Sequence, residues 1–300
     1  MNARGRVGAP PTSSPIEAAN GPNGPNAGIV IREASDLAEL EEISLLLSRI
    51  WDRSPESRQV TVSLLRALSI TGNYVAAAFE GDQVVGAAIG FHAPQNDSLH
   101  SHITGVDPRS HARNVGFLLK SHQRTWALAH HIQTISWTFD PLIRRNAYFN
   151  LVKLGARATR YLPDFYGPMH DGLNRGEESD RLLVEWELES QTAKAAAEGA
   201  RQEPHPSSDF PTLIEVTGYS LQPAVWSGGP ALVPVPEDIE RVRAEDPKLA
   251  QAWRSAVRGV LGAALDSGAQ VTGFDRTHGY LIDNSSAPLR IPADSQTGTP

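Results

Sequence analysis

The chain has 300 residues, 40% hydrophobic and 20% charged, with a formal net charge of −7, a composition expected of a soluble globular protein holding one large or two small domains. The acidic balance and the lack of a long basic run argue against nucleic acid as a main partner. The absence of cysteine removes disulfides, thiolate nucleophiles and cysteine-based metal sites. No apolar run approaches the roughly 20 residues that span a bilayer, and the N-terminus lacks the apolar core of a secretion signal. The expectation is a cytoplasmic protein without membrane association.

Residues 1–28, rich in Pro, Gly, Asn and Ser, are expected to form a disordered tail. Ile29–Ala34 is the first strand. Asp36 follows as an N-cap, with Glu39 three residues later to complete a capping box, and the next helix sets Leu37, Leu40, Ile43, Leu47 and Ile50 on one side. A second helix is predicted over Ser57–Leu68, presenting Val60, Val62, Leu64, Leu65 and Leu68. Tyr74–Phe79 and Gln83–Phe91 read as strands joined through Glu80-Gly81-Asp82, good hairpin chemistry. The small side chains of Ala87–Gly90 would let a backbone or ligand approach closely.

Leu99–Lys120 is the stretch around which the rest is organised. It opens as a strand whose alternation puts Leu99, Ser101, Ile103 and Gly105 on one face and His100, His102, Thr104 and Val106 on the other. Asp107-Pro108 stops the ladder, because proline has no N–H to give. After a basic, polar turn from Arg109 to Asn114 the period becomes helical, and Val115, Leu118, Leu119, Trp126 and Ala129 share a stripe. A strand feeding a tight turn and then a helix aims free backbone N–H groups at one point, an anion seat. Arg109 and Arg113 stand beside it, and Asn114 suits a turn that needs φ > 0.

Beyond it, Thr134–Phe139 is a buried strand ended by Asp140-Pro141. A helix over Ile143–Leu154 closes at Gly155, a natural C′ residue, and Thr159–Tyr166 and Arg181–Leu188 are strands. Residues 191–212 read as a polar linker. A smaller α+β piece follows, with a strand at Ala231–Val235 and a helix over Glu237–Glu245. Asp246-Pro247 then starts a helix carrying Leu249, Trp253, Val257, Val260, Leu261 and Ala264 on one face, and Gln270–Phe274 and Tyr280–Ile282 finish as strands. A piece of this size is marginal alone and is expected to dock on the first domain. Residues 285–300 read as a loose tail.

Val106-x-Pro108, the basic turn, and Gly116 ahead of Leu118-Leu119 resemble the coenzyme A pyrophosphate loop of the GNAT acyltransferases. That loop reads Gln/Arg-x-x-Gly-x-Gly/Ala. The window here is His111-Ala112-Arg113-Asn114-Val115-Gly116, with His for Gln/Arg and Asn for the first Gly. The order strand, two helices, three strands, helix, strand, helix, two strands over 29–190 is also the GNAT order. The runs WTFDPL, RNAYFNLVKLGA, FYG and SDRLLVEW resemble one branch of predicted GNAT proteins.

The resemblance implies an α/β (α+β) fold with a GNAT-type mixed, mostly antiparallel central sheet flanked by helices over 29–190, and a small C-terminal α+β extension over 213–284. It implies acyl-CoA, acetyl-CoA or another, as cosubstrate, with no metal. The backbone of Gly105 and Val106 would hold pantetheine and carbonyl, and the turn residues His111, Ala112, Arg113, Asn114, Val115, Gly116 and Phe117 the pyrophosphate. Lys120 and Arg124, further down the helix, could reach phosphates. His100 and His102, on the strand face that presents the acyl group, are candidates to take the amine's proton. Their bland alternative is a half-buried pair bonded to neighbours, and His-x-His lacks a third ligand at metal spacing.

The family's usual acid, a tyrosine four residues before the closing glycine, is Leu151 here. Tyr148, one turn earlier, is the candidate donor. Asp140 is a candidate to bind or activate a substrate ammonium, Arg144, Arg145 and Asn146 to meet a carboxylate, and Tyr161, Phe165 and Tyr166 to line the acceptor side. The implied function is acyl transfer, acetyl or succinyl, to the amine of a small molecule such as an amino acid, with protein acetylation as a variant and a homodimer compatible with either. With no cysteine, the amine would attack the thioester directly. The alternative is a non-catalytic acyl-CoA-binding or sensory module.

Overall fold

The computed structural model describes residues 16–17, 28–51, 58–94, 97–167, 177–201, 203–204, 206–218 and 220–284. Nearly all of the expected tails, and Ser57, lie outside them. An eight-stranded sheet dominates. In chain order its strands are β1 (Ile16–Glu17), β2 (Ile29–Glu33), β3 (Tyr74–Glu80), β4 (Gln83–Ala93), β5 (Ser98–Val106), β6 (Thr134–Phe139), β7 (Arg157–Leu162) and β8 (Arg181–Glu187). Their spatial order is β1-β2-β3-β4-β5-β6-β8-β7. Every neighbouring pair is antiparallel except β5 and β6. The expected mixed, mostly antiparallel sheet is what the chain builds.

Strict alternation in β3 serves two helical layers. Val75, Ala77 and Phe79 face α1 (Leu37–Ile50) and its Leu40, Ile43 and Leu47; Tyr74, Ala76 and Ala78 face α3 (Val115–Ala129) and its Val115, Leu119 and Trp126. Asp36 caps α1 by accepting from the Ala38 N–H at 2.8 Å, but Glu39 does not close a box. Its carboxylate grips Arg32 instead, at 2.5 and 3.1 Å. The second helix, α2 (Val62–Ile70), starts later than expected because Thr61 caps it, and within it only Leu65 is buried.

The helix after β6 is shorter than its pattern suggested. α4 (Arg144–Tyr148) passes into a π-turn, Phe149–Lys153, before Gly155 closes it at φ +70°. β7 ends at Leu162, since Pro163 has no N–H for the ladder. The expected linker is partly helical: Ser190 accepts from the Ala193 N–H and starts α5 (Gln191–Ala197). A short hairpin, β9 (Ile214–Thr217) with β10 (Ser220–Pro223), was also not foreseen.

The C-terminal piece has α6 (Ile239–Glu245), α7 (Pro247–Val257) and α8 (Ala263–Asp266) around three strands. These are β11 (Ala231–Val233), β12 (Gln270–Asp275) and β13 (Gly279–Asp283), in the order β11-β13-β12. It docks, as expected. Val233, Phe274, Tyr280, Trp253 and Leu261 share one continuous core with Leu142, Ala147 and Tyr161 of the main sheet layer. Tyr280 donates its hydroxyl to the Pro141 carbonyl at 2.7 Å. Arg144 donates to the carbonyls of Val235, Pro236, Arg276 and Thr277, and Arg145 pairs with Glu240. Among the described residues no helix is long and apolar enough to cross a membrane.

Candidate functional site

The parallel pair at the sheet centre is joined by a short ladder only. β5 and β6 pair only at Leu99–Ile135 and His100–Ser136, although the strands run on to Val106 and Phe139. Past that point the two strands part, and each keeps a partner on its outer side only, β4 for β5 and β8 for β6. Between the parted strands, short of Val106, there is room for an extended ligand to pair with the backbone.

A bulge re-aims β5 at the same place. Ile89 pairs with Ile103 and Gly90 with Ser101, so His102 is an extra residue. The insertion corrects the simple alternation read from the sequence. Leu99 packs on the α3 side, whereas Ile103 packs on the α1 side. Gly105 follows Ile103: a Cβ there would meet Ile50 Cδ1 at 2.8 Å and Leu47 Cδ2 at 2.9 Å. Side chains of α1 pack closely on this position and would have to shift to admit a larger residue.

His100 and His102 stand together beside Phe91, with ring centroids 5.2 and 5.7 Å from it. His100 Nδ1 lies 3.2 Å from Ser136 Oγ across the last rung of the parallel ladder. Burial lowers the pKa of both imidazoles, and His102 and Lys120 lower that of His100 further by charge repulsion. Neutral imidazoles at pH 7 can accept a proton. On β6 the same side carries Thr138, whose Oγ1 is 3.2 Å from the Tyr166 hydroxyl.

The turn after β5 is built as its sequence implied. Asp107 caps a 3₁₀ segment, Pro108–Arg113, that contains the His111 and Ala112 backbone, and Asn114 adopts the left-handed conformation at φ 56°. That reversal sends the chain into α3. The N–H groups of Val115 and Gly116 head the helix with no acceptor inside it, and a Cβ at Gly116 would make only ordinary contacts, with Val106 Cγ2 at 3.8 Å and Phe149 Cζ at 4.0 Å. The Phe117 amide is not available, since it donates to the Asn114 carbonyl at 3.0 Å. Nor are the flanking arginines free cations: Arg109 chelates Asp107, holding that carboxyl down to about 2, and Arg113 pairs with Glu80.

Several expected site residues lie elsewhere. Lys120 does not face a phosphate: it is 3% exposed, with Nζ donating to Ser101 Oγ at 2.8 Å and Gln123 Oε1 at 3.0 Å over the Trp137 ring. Burial pushes its pKa down to about 7. Arg124 is spent on the Leu188 carbonyl. Tyr148 turns from the gap and donates to Glu203, with Arg276 stacked 3.8 Å over its ring. Asp140 is buried against Arg243 and Arg254 at 2.6 and 3.1 Å; burial raises its pKa, and the two guanidiniums overcome this and bring it to about 2. It holds the extension in place and is no ligand for a substrate ammonium. Arg144 and Arg145 are committed to the same docking, and Tyr161 donates to Asp180 inside the core, leaving only Phe165 and Tyr166 exposed.

Sequence reasoning missed Ser136, Phe91 and Thr138, which stand with His100 and His102 around the gap. A serine or threonine at alternate positions of a buried strand was the available signal.

No protein-family model matches the chain, and no curated protein does. Among solved structures, it is similar to an N-acetyltransferase from Staphylococcus aureus, with 16% identity, 54% of this chain and 100% of that one covered, and a TM-score of 0.45. It is similar to an acetyltransferase of the GNAT family from Streptococcus pneumoniae, with 13% identity, coverage of 52% and 97%, and a TM-score of 0.42. The ribosomal-protein-S18-alanine N-acetyltransferase of Escherichia coli is similar at 11% identity, with coverage of 54% and 97% and a TM-score of 0.43.

Proposed function

We propose that the chain is an acyl-CoA-dependent N-acyltransferase acting on the amine of a small molecule, with residues 29–190 as the acyltransferase domain and 213–284 as an extension built into it. The observation that carries this reading is the parting of β5 and β6 beyond His100–Ser136, one strand length from the open head of α3. Pantetheine is an extended amide chain that a strand gap accepts as a substitute strand. Its pyrophosphate would then fall at the Val115 and Gly116 amides.

In the reaction, an amine reaching the gap from the α1 side gives its proton to His100, directly or through water, and its lone pair attacks the thioester carbonyl. The carbon–sulfur bond breaks as the tetrahedral adduct collapses. A thiolate with a pKa of about 8.5 leaves with little help, so the displaced Tyr148 does not forbid turnover. Freed β5 amides are suited to meet the oxyanion.

The test is calorimetric titration with acetyl-CoA and succinyl-CoA, with Gly116→Glu as the control that puts a carboxylate into the seat. Micromolar binding lost in the variant upholds the site; no binding to the wild type removes it. The second reading, a binding module without turnover, is favoured by Asp140 and Tyr148 both being turned away from the gap. Release of free thiol with any amine in a panel would reject it.

A further inference from the structure

Lys120 reaches from α3 to the first position past the paired rungs on each strand of the gap. Its Nζ donates to Ser101 Oγ on β5 at 2.8 Å and rests 3.8 Å from the centre of the Trp137 ring on β6. A second N–H goes to Gln123 Oε1 at 3.0 Å. Ser101, Lys120 and Gln123 are each buried, so water does not complete the set. The inventory of this cluster is one-sided. Among the described residues the ammonium has no carboxylate partner and Gln123 Nε2 has no acceptor. The Ser101 hydroxyl accepts from Lys120 and so keeps its own proton to donate. Three adjoining side chains thus offer N–H and O–H groups and a positive charge, and lack an acceptor to meet them. A buried cation left in that state costs more than an apolar side chain of the same volume. The helix face around it, with Leu119, Trp126 and Ala127, is packed without any need for charge.

His100 and Ser101 are adjacent in β5 and point to opposite faces, so the imidazole stands on the α1 side of the gap and the cluster on the α3 side. We infer that Lys120, with Gln123 and Ser101, receives a terminal carboxylate of the acyl group. The acyl donor is then the coenzyme A thioester of a dicarboxylic acid, with succinyl-CoA as the probe, and Lys120 is a specificity-determining residue. The inference rests on the acyl-CoA reading above and narrows it. A thioester lying between the strands would send its acyl chain to the α3 face and leave its carbonyl open to an amine arriving beside His100. A carboxylate supplies what the cluster lacks, one oxygen for the ammonium and one for the Gln123 amide. Burial loosens the Lys120 proton, and an anion beside it would hold that proton in place.

The experiment compares succinyl-CoA with butyryl-CoA, which has the same four acyl carbons and no carboxylate, by calorimetric titration of the full chain. Wild type should bind succinyl-CoA about tenfold or more tighter. Lys120→Met and Lys120→Gln should bring the two ligands to within about threefold of each other, chiefly by weakening succinyl-CoA. A merely structural lysine would weaken both ligands alike and leave their ratio where it was. Equal binding of the two thioesters by wild type, or a preference that survives in both variants, overturns the inference and leaves the acyl-CoA reading intact. Binding of neither thioester by wild type overturns both. Should the variants fail to fold, the wild-type ratio alone decides.

Discussion

Lys120 gives the sharpest test of the packing at the heart of the site. Its ammonium sits beneath the point where β5 and β6 part, on Ser101 Oγ and Gln123 Oε1, with no carboxylate in an ion pair with it among the described residues. Burial lowers its pKa from the ordinary 10.5 to about 7. In the unfolded chain the same amine stays protonated up to 10.5. Between these values the unfolded state binds more protons, so stability rises with pH across the window. The full drop corresponds to about 5 kcal/mol at 1.36 kcal/mol per unit, and the part realised between pH 7 and 9 is about 2 kcal/mol.

The window is clear of other buried groups. His100, His102 and His122 all titrate below their ordinary value of 6.5, and Tyr74, Tyr161 and Tyr280 above 10. Urea unfolding at about pH 7, 8 and 9 should show wild type gaining about 2 kcal/mol over Lys120→Met, whose thioether keeps the volume and loses the charge. Parallel pH profiles for the two proteins would mean that Lys120 is solvated, and the buried geometry would fall with it.

The remaining expectations are quickly stated. Gly279 has φ +96°, and a Cβ there would lie 2.3 Å from the Val233 carbonyl oxygen; Gly279→Ala should cost about 3 kcal/mol or more, and a change in melting temperature within error would refute the register of β11 on β13. With an amine that supports thiol release, His100→Gln should lower kcat/KM by about 100-fold and abolish an acid limb whose midpoint lies below 6.5, because burial and charge lower the His100 pKa. Activity within threefold of wild type would assign the proton to another group. A chain cut after Leu188 should lose cooperative unfolding, since Asp140 and Asp180 would stay buried without Arg243, Arg254 and Arg258, and each broken buried pair costs about 3–5 kcal/mol. A soluble fragment with a sharp melt would show the extension to be dispensable.

What the sequence revealed was what neighbours in the chain decide. Asp36, Asn114, Gly155 and Asp246-Pro247 each act within a turn of themselves, and each stands where its chemistry put it. What it hid depends on partners far away. Alternating residues cannot show that His102 is inserted, because the count against β4 exists only once the strands pair. Lys120 looks like a surface cation until Trp137 and Ser101 close over it, and Tyr148 looks like an acid in reach of the gap until Glu203, 55 residues on, claims its hydroxyl. Polar residues that a helix or strand would expose are the ones whose burial only the tertiary fold decides.

The two walls of the gap are held by different parts of the chain, and this gives the extension a role in the site. On one side β5 is fixed by β4, by the His102 bulge and by α1 pressed against Gly105. On the other, β6 pairs with β8, and its end at Asp140 is tied through Arg243 and Arg254 to α6 and α7, with Glu177 joining the same cluster. Arg258 repeats the tie at Asp180, just before β8 begins. A buried network of this kind contributes little net stability, because desolvation offsets most of the attraction. What it does contribute is position: each carboxylate has one arrangement that satisfies it, and any drift of β6 would leave a charge unpaired. The far wall of the gap is thus set by residues some hundred positions later in sequence, which is why the extension shares a core with the sheet it serves.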